Sequence, residues 1–148
     1  IETRGLRLDA FGVSDAHRDW DELGVLPGAL AAIRRGPSWR RQLEPAALTI
    51  GVTHAPYRRV LDAFTDLGAD VIFGGHTHGG QVRIPFSRSA LVANCDIPRD
   101  QARGLSTWTH DGRTVPLNVS AGLGHSIYAP VRFACRPEAT VLTIRAIS

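Results

Sequence analysis

The spacing of hydrophobic positions along the chain predicts strands and helices in alternation. Three stretches alternate with a period of two or form short apolar runs, as strands do: residues 6–13 (LRLDAFGV), 47–52 (ALTIGV) and 70–73 (DVIF). Residues 56–67 instead place Val60, Leu61, Phe64 and Leu67 on one helical stripe, between a proline suited to the first turn and a glycine suited to the stop. The two apolar runs beside this helix are typical of strands buried on both faces, so the unit predicts a parallel βαβ crossover.

Outside this unit the hydrophobic pattern is less regular. A second helix is predicted over residues 28–35, followed by a polar connection over residues 35–45. The Asp-Gly pair after His110 predicts a hairpin turn. Short alternating or β-branched stretches predict further strands at residues 82–84, 115–120, 131–133 and 140–147. The chain is therefore predicted to fold as a single α/β domain over residues 1–148.

The composition excludes several classes of protein. With 43% hydrophobic and 21% charged residues, the 148-residue chain is globular and not disordered. Its net charge is +3, and its basic residues are arginines scattered along the sequence, so no nucleic-acid-binding arm is predicted. No apolar run approaches the ~18 residues of a membrane-spanning helix, and no signal peptide opens the chain. We therefore expect a location in the cytoplasm or at the periphery of the membrane, and membrane association is not encoded in this chain.

Two further features of the composition concern redox state and completeness. Cys95 and Cys135 lie outside any Cys-x-x-Cys pattern, and two cysteines are too few for a cysteine zinc site. Buried thiols and a disulfide both remain open. The sequence has no methionine and begins inside a strand-like pattern, so we expect a fragment or an excised chain.

Candidate chemistry is concentrated at the carboxyl ends of two predicted parallel strands. His54 follows residues 47–52, while His76 and His78 follow residues 70–73, where ligands of open α/β sheets gather. His76 and His78 lie within FGGHTHGGQ, and the flexible glycines around them would let the two imidazoles point towards two neighbouring positions. This arrangement suits two metal ions about 3.5–4 Å apart, and neutral imidazole is the commonest metal ligand. One such histidine would be an ordinary surface residue, but the three together favour a metal site.

The sequence around these histidines resembles the C-terminal motifs of the calcineurin-like metallophosphoesterases, in particular a bacterial branch whose last block reads GGHTHGGQ. The resemblance covers most of the chain and is carried by three stretches, LTIGVTHAPYRRVLDAFTDLGADVIFGGHTHGGQVRIP, NCDIPRDQARGLS and NVSAGLGHSIYAPVRFACRPEATVLTI. It implies a metallophosphoesterase-type β-sandwich flanked by helices, of which this chain would supply the C-terminal half. It also implies hydrolysis of a phosphomonoester or phosphodiester by a hydroxide that two divalent ions (Mn, Fe or Zn) activate.

The position of each histidine in these motifs implies its role. His54 and His76 would bind one ion and His78 the other. In the family, the remaining ligands and the catalytic histidine come from N-terminal Asp-x-His, Gly-Asp-x-x-Asp and Gly-Asn-His-Asp/Glu motifs. The last two are missing from this sequence, so no catalytic residue is assigned. VSDAH places Asp15 and His17 after a strand, as the first motif would, but so few residues separate it from the later histidines that a turn with substrate-side residues is favoured.

The three histidines make an incomplete site on physical grounds as well. Two close divalent ions need a bridging anion to offset their repulsion, and neutral imidazoles supply no such charge. We therefore expect a missing N-terminal half of the domain, in the same or a separate chain, to complete the site.

Residues on the substrate side are predicted in the same loops. Gln81, the backbone N–H groups of Gly79 and Gly80, and His125 are candidates to offset charge on a phosphate-ester substrate. The glycines would also permit the turn itself. Two other functions remain open. One is a truncated or degenerate metal-binding domain without turnover, and the other is a mononuclear zinc hydrolase that uses the three histidines and a carboxylate such as Asp15.

Overall fold

A single twisted sheet forms the frame of the computed structural model, which describes residues 2–3, 6–35, 48–87 and 89–145. Its six strands are β1 (Glu2–Thr3), β2 (Leu6–Gly12), β3 (Leu48–Val52), β4 (Val71–Gly74), β5 (Gly104–His110) and β6 (Arg113–Val119). They lie in the order β1-β2-β3-β4-β6-β5. The four inner strands run parallel, and each edge strand runs antiparallel to its neighbour. The predicted mixed α/β class is confirmed.

Two α-helices accompany the sheet, α1 (Leu26–Arg35) and α2 (Arg58–Asp66). The β3-α2-β4 unit is the predicted parallel crossover. Helix α2 begins later than predicted because Tyr57 is still extended, and Asp96 Oδ1 accepts the N–H of Arg58 at 2.8 Å. Gly68 follows the helix in the left-handed region, with φ 87°. Among the described residues, no helix has both the length and the apolar character that crossing a bilayer requires.

The hydrophobic core lies between α2 and one face of the sheet. Phe64 is fully buried and meets Phe11 edge-on, with ring centroids 4.9 Å apart. It also lies directly over Gly51 of β3, where an added Cβ would come within 2.6 Å of Phe64 Cδ2. Other members of this core come from both helices and the remaining strands: Leu26, Leu30, Val60, Leu61, Ile72, Trp108, Val115, Leu117 and Val119. The glycine in β3 is therefore a packing requirement, since it lets the helix approach the sheet closely.

The opposite face of the sheet is apolar but more open. Because side chains alternate along a strand, Val52 and Leu105 point away from the α2 side, and they are 47% and 66% exposed. Asn118 points the same way and is only 5% exposed, and its Oδ1 has no hydrogen-bond partner among the described residues. The described residues form one sheet, so the second sheet of the predicted sandwich stays a prediction.

The second half of the chain has fewer strands than predicted. The stretches at 82–84 and 131–133 contribute only isolated bridges, one of which pairs Val82 with Phe133. Residues 140–145 form no strand, because this largely exposed segment has no neighbour to pair with among the described residues, and residues 146 and 147 lie outside them. The predicted Asp-Gly hairpin is confirmed and joins β5, which was not predicted, to β6. Most of the predicted polar connection at 35–45 also lies outside the described residues.

Both cysteines are free thiols, so the structure contains no disulfide between them. Cys135 is buried beneath the glycines that follow His78. Burial raises the pKa of the Cys95 thiol to about 11. This thiol is therefore protonated at neutral pH and is not a ready metal ligand.

Candidate metal centre

Two of the predicted metal ligands converge at the carboxyl edge of the sheet. His54 follows β3 and His76 follows β4, and the ladder between these strands continues past their ends through a bond from Gly75 N to His54 O of 3.0 Å. His54 Nε2 and His76 Nδ1 lie 3.0 Å apart. Two imidazole nitrogens bound to one ion at about 2.0–2.1 Å would be separated by about 3 Å. The pair therefore fits a shared divalent ion.

The HTHGGQ turn reaches this position through an unusual run of left-handed backbone. His76, His78 and Gln81 have φ of 63°, 50° and 48°, in addition to the positive φ of the two glycines. Non-glycine residues rarely adopt this region, and where they do, the strain is concentrated at functional sites. Thr77 holds the turn, because its hydroxyl donates to Ala102 O at 2.7 Å. The sequence predicted the flexibility of the glycines, but the histidines themselves share the strained conformation.

The two glycines after His78 are packed too closely to carry a side chain. A Cβ on Gly79 would lie 2.7 Å from Cys135 Sγ, and one on Gly80 would lie 2.3 Å from Ala90 Cβ. Their N–H groups already donate within the turn, to Thr77 Oγ1 at 3.2 Å and to Thr77 O at 2.7 Å. The geometry supports their role in shaping the turn, and substrate contact through these N–H groups stays a prediction.

His76 is surrounded by polar rings and an amide. On the side away from His54, its Nε2 lies 3.0 Å from Asn94 Nδ2, and its ring lies 4.6 Å from that of His17. Burial and then the neighbouring imidazole of His54 lower the pKa of His76. A lowered pKa keeps the ring neutral at physiological pH, which is the state in which histidine binds metals. Asn94 was not among the predicted site residues.

The Asp15–His17 segment forms the predicted turn and also reaches the histidine cluster. Asp15 caps a short 3₁₀ turn over Ala16–Arg18, with its Oδ1 accepting from His17 N at 3.0 Å. His17 Nδ1 lies 2.8 Å from the Tyr57 hydroxyl, at the start of α2. A fourth imidazole thus joins the three predicted ones. Asp15 uses Oδ1 in its own turn, while its negative charge opposes the lowering of the His76 pKa, so Asp15 as a metal ligand stays a prediction.

His78 points to a different set of neighbours. Burial and then the guanidinium of Arg132 lower the pKa of His78, whereas a bond to the carbonyl of Gly124 acts in the opposite direction. Arg132 also donates to the carbonyls of His78, at 3.1 Å, and of Ala121, at 2.7 Å. This arginine therefore ties the HTHGGQ turn to the 121–124 loop. It was not predicted, because no local pattern distinguishes it from the other arginines.

An open cavity of about 400 Å³ lies in front of the histidines. Its polar wall contains His17, His76, His78 and Asn94, and its apolar wall includes Val82, Val92 and Tyr128.

Two of the predicted substrate-side residues have other partners. Gln81 Nε2 donates to Ala129 O at 2.8 Å, and Gln81 Oε1 accepts from Ser126 N, so its amide holds the 126–129 loop. His125 is exposed, with its Nδ1 3.1 Å from Ser126 O. It lies outside the cavity lining that the described residues form. Substrate contact by Gln81 or His125 stays a prediction.

A second group of candidate ligands lies at the other end of the sheet. Nitrogen and oxygen atoms of Asp66, His110 and Asp111 lie within 4.8 Å of one another. They surround the β5–β6 hairpin, at the amino end of the parallel strands and thus away from His54. His110 Nδ1 also lies 3.2 Å from Asp62 Oδ1, a carboxylate outside this group of three. A divalent ion could be held at either place.

Comparison with known proteins finds a distant relative. The chain is 31% identical over 81 residues to an uncharacterized metallophosphoesterase, YkuE, of Bacillus subtilis (strain 168). The matched stretch covers 55% of this chain and 26% of the relative, so it spans about a quarter of that protein. No protein-family model matches the chain. No solved structure matches it either.

Proposed function

We propose that the chain carries part of the metal centre of a calcineurin-like metallophosphoesterase that hydrolyses a phosphomonoester or phosphodiester. One observation carries the proposal: His54 Nε2 and His76 Nδ1, from adjacent parallel strands, lie 3.0 Å apart. The relative of the same named class supports it from sequence. In this proposal His54 and His76 share one divalent ion (Mn, Fe or Zn), and His78 binds a second.

In this proposal the histidines bind metal, the cavity accepts the substrate, and other side chains hold the surrounding loops. Divalent ions held by the histidines would supply Lewis acidity to a phosphoryl oxygen and make water more acidic. Low pKa values keep His76 and His78 neutral, so that their ring lone pairs are available to bind. The cavity beside them has room for an ester group, with Val92 and Tyr128 on its apolar side. Arg132 and Gln81 hold the loops that frame it.

The proposal also requires a negative charge that these histidines do not provide. Imidazoles are neutral ligands, whereas two close cations repel one another unless an anion lies between them. We infer that a complementary N-terminal half of the domain, in the same or a separate chain, supplies carboxylates at this edge of the sheet. The exposed apolar side chains of Val52 and Leu105, on the face opposite α2, are consistent with such a partner.

The test combines metal content, intact mass and turnover on one purified sample. Hydrolysis of bis(p-nitrophenyl) phosphate is measured with Mn²⁺, and His76→Ala is compared with His110→Ala as a matched control at the far edge of the sheet. We expect His76→Ala to lower both metal content and turnover, and His110→Ala to change neither. Metal loss confined to His110→Ala would contradict the proposal. One metal per chain without turnover, in a sample that contains this chain alone, would favour the non-catalytic metal-binding domain.

A further inference from the structure

We propose that Asn94 acts as a positioning residue that selects which ring nitrogen of His76 carries the proton, and so couples metal loading to the tautomer of this imidazole. The inference rests on the proposed function, because it takes His76 as a metal ligand. It concerns a residue that lies 18 positions from His76 in the chain and begins the NCDIPRDQARGLS stretch, where no role was predicted for it.

Two 3.0 Å distances define a chain of hydrogen bonds through the ring of His76. Asn94 Nδ2 faces His76 Nε2, and His76 Nδ1 faces His54 Nε2. In this orientation of the amide, its NH₂ group donates to Nε2, which places the proton of the neutral ring on Nδ1. That proton is then donated to His54 Nε2. In this arrangement both nitrogens that would bind the ion are engaged with each other.

Metal binding requires the other tautomer. If Nδ1 of His76 is the ligand atom, the proton moves to Nε2, which then needs an acceptor. Asn94 can provide one without leaving its place, because rotating the amide by half a turn exchanges the positions of Oδ1 and Nδ2. Among side chains of this size, aspartate can only accept a hydrogen bond and so suits only the metal-bound Nε2–H form. Leucine can neither donate nor accept. Asparagine is the residue that satisfies both states.

The chain on either side of Asn94 is packed against the fold, whereas the side chain of Asn94 is exposed and has room to rotate. Its neighbours Ala93 and Ile97 are buried, and Asp96 Oδ1 accepts the N–H of Arg58 at 2.8 Å. That N–H is at the start of α2, the helix that follows His54. Asn94 itself has φ 52°, which asparagine tolerates better than other non-glycine residues. The segment is therefore attached to the same part of the fold as one of the two ligands.

The test uses the full 148-residue chain with Asn94→Asp, Asn94→Leu and, as a control for charge alone, Val92→Asp in the same cavity. Long-range ¹H–¹⁵N spectra at pH 8 report the His76 tautomer in metal-free protein, and competition with a chromophoric chelator gives the Zn²⁺ affinity. We expect the Nδ1–H form in the wild type and the Nε2–H form in Asn94→Asp. Asn94→Leu should weaken Zn²⁺ binding by about 10–100-fold, the usual effect of losing an outer hydrogen-bond partner. Asn94→Asp should bind at least as tightly as the wild type.

Three results would overturn the inference. These are an Nε2–H tautomer in the metal-free wild type, unchanged Zn²⁺ affinity in Asn94→Leu, or a Val92→Asp variant that reproduces both effects of Asn94→Asp. Failure of the proposed function looks different. In that case Zn²⁺ does not bind to the wild type, while the spectra still decide whether Asn94 sets the tautomer.

Discussion

Gly80→Ala should destabilise the protein through two separable effects. Gly80 has φ 81°, where an alanine costs about 1–2 kcal/mol relative to the right-handed region. The new Cβ would also lie 2.3 Å from Ala90 Cβ and 2.6 Å from the carbonyl oxygen of Val92. These two atoms cannot turn aside by rotation of a side chain, so the backbone itself must move. Overpacking of this kind costs about 1–3 kcal/mol. The expected loss in the free energy of unfolding is the sum, about 2–5 kcal/mol.

Two other glycines serve as controls that separate the cost of backbone strain from the cost of the close contact with Ala90. Gly112 has φ 78° at the tip of the β5–β6 hairpin, but a Cβ there would meet nothing within 4 Å, so Gly112→Ala should cost only the strain, about 1–2 kcal/mol. Gly124 has open space and no positive φ, so Gly124→Ala should stay within about 0.5 kcal/mol of the wild type.

Urea unfolding followed by circular dichroism measures all three variants, provided that the m-value stays constant. If Gly80→Ala and Gly112→Ala lose the same free energy, the close contact with Ala90 is absent and the packing argument is wrong.

Three further predictions address the ion pairs, the core and the second ion. The hydrogen bond from Arg59 lowers the pKa of Asp21 below its usual 3.8, so the carboxylate stabilises the fold above that pH and loses this effect as the pH falls through the folded-state value. Asp21→Asn should therefore cost about 1–2 kcal/mol at pH 7, a modest value because Arg59 is 41% exposed, and less as the pH falls through the folded-state pKa of Asp21, as a series of urea midpoints against pH would show. Phe64→Ala should cost about 3–5 kcal/mol, and Gly51→Ala should cost less in that background than in the wild type, which a double-mutant cycle in urea would test. Because His78 is proposed to bind a different ion from the other two histidines, His78→Ala should remove one of two bound metals in elemental analysis.

The parts of the site that the sequence predicted are those governed by local rules. The hydrophobic runs before His54 and His76 define two buried parallel strands, and the carboxyl ends of such strands meet at one edge of the sheet. The convergence of the two imidazoles follows from that topology. The positive φ of His76 could not be foreseen in this way, because residue type alone disfavours it, and packing of the following glycines against distant residues enforces it.

The residues that sequence reasoning missed act through long-range contacts. Asn94 and Arg132 lie in loops whose own sequences carry no periodicity, and each reaches the site only after the chain has crossed the sheet. The sequence predicts His17 in a turn, which is confirmed, but its approach to Tyr57 depends on how β2 and α2 pack. A hydrogen bond between residues 40 positions apart leaves no pattern in one sequence. Polar residues of loops next to strand-end histidines are where such partners should be sought.

Two independent features of the structure point to the same complementary surface. At the carboxyl edge, several imidazoles converge, while Asp15, whose negative charge acts on His76, already accepts the N–H of His17 with one of its two carboxylate oxygens. On the face opposite α2, Val52 and Leu105 leave apolar surface exposed, and Asn118 has a buried oxygen that no other described residue hydrogen-bonds. A buried unpaired oxygen costs about 1–3 kcal/mol, and exposed apolar side chains forgo about 25 cal/mol per Å². A second layer that packs on this face would relieve both costs, and the loops at its edge would lie beside His54. We therefore propose one explanation for the charge that the proposed metal centre needs and for the open face of the sheet, which is a segment that covers this face and carries the remaining ligands.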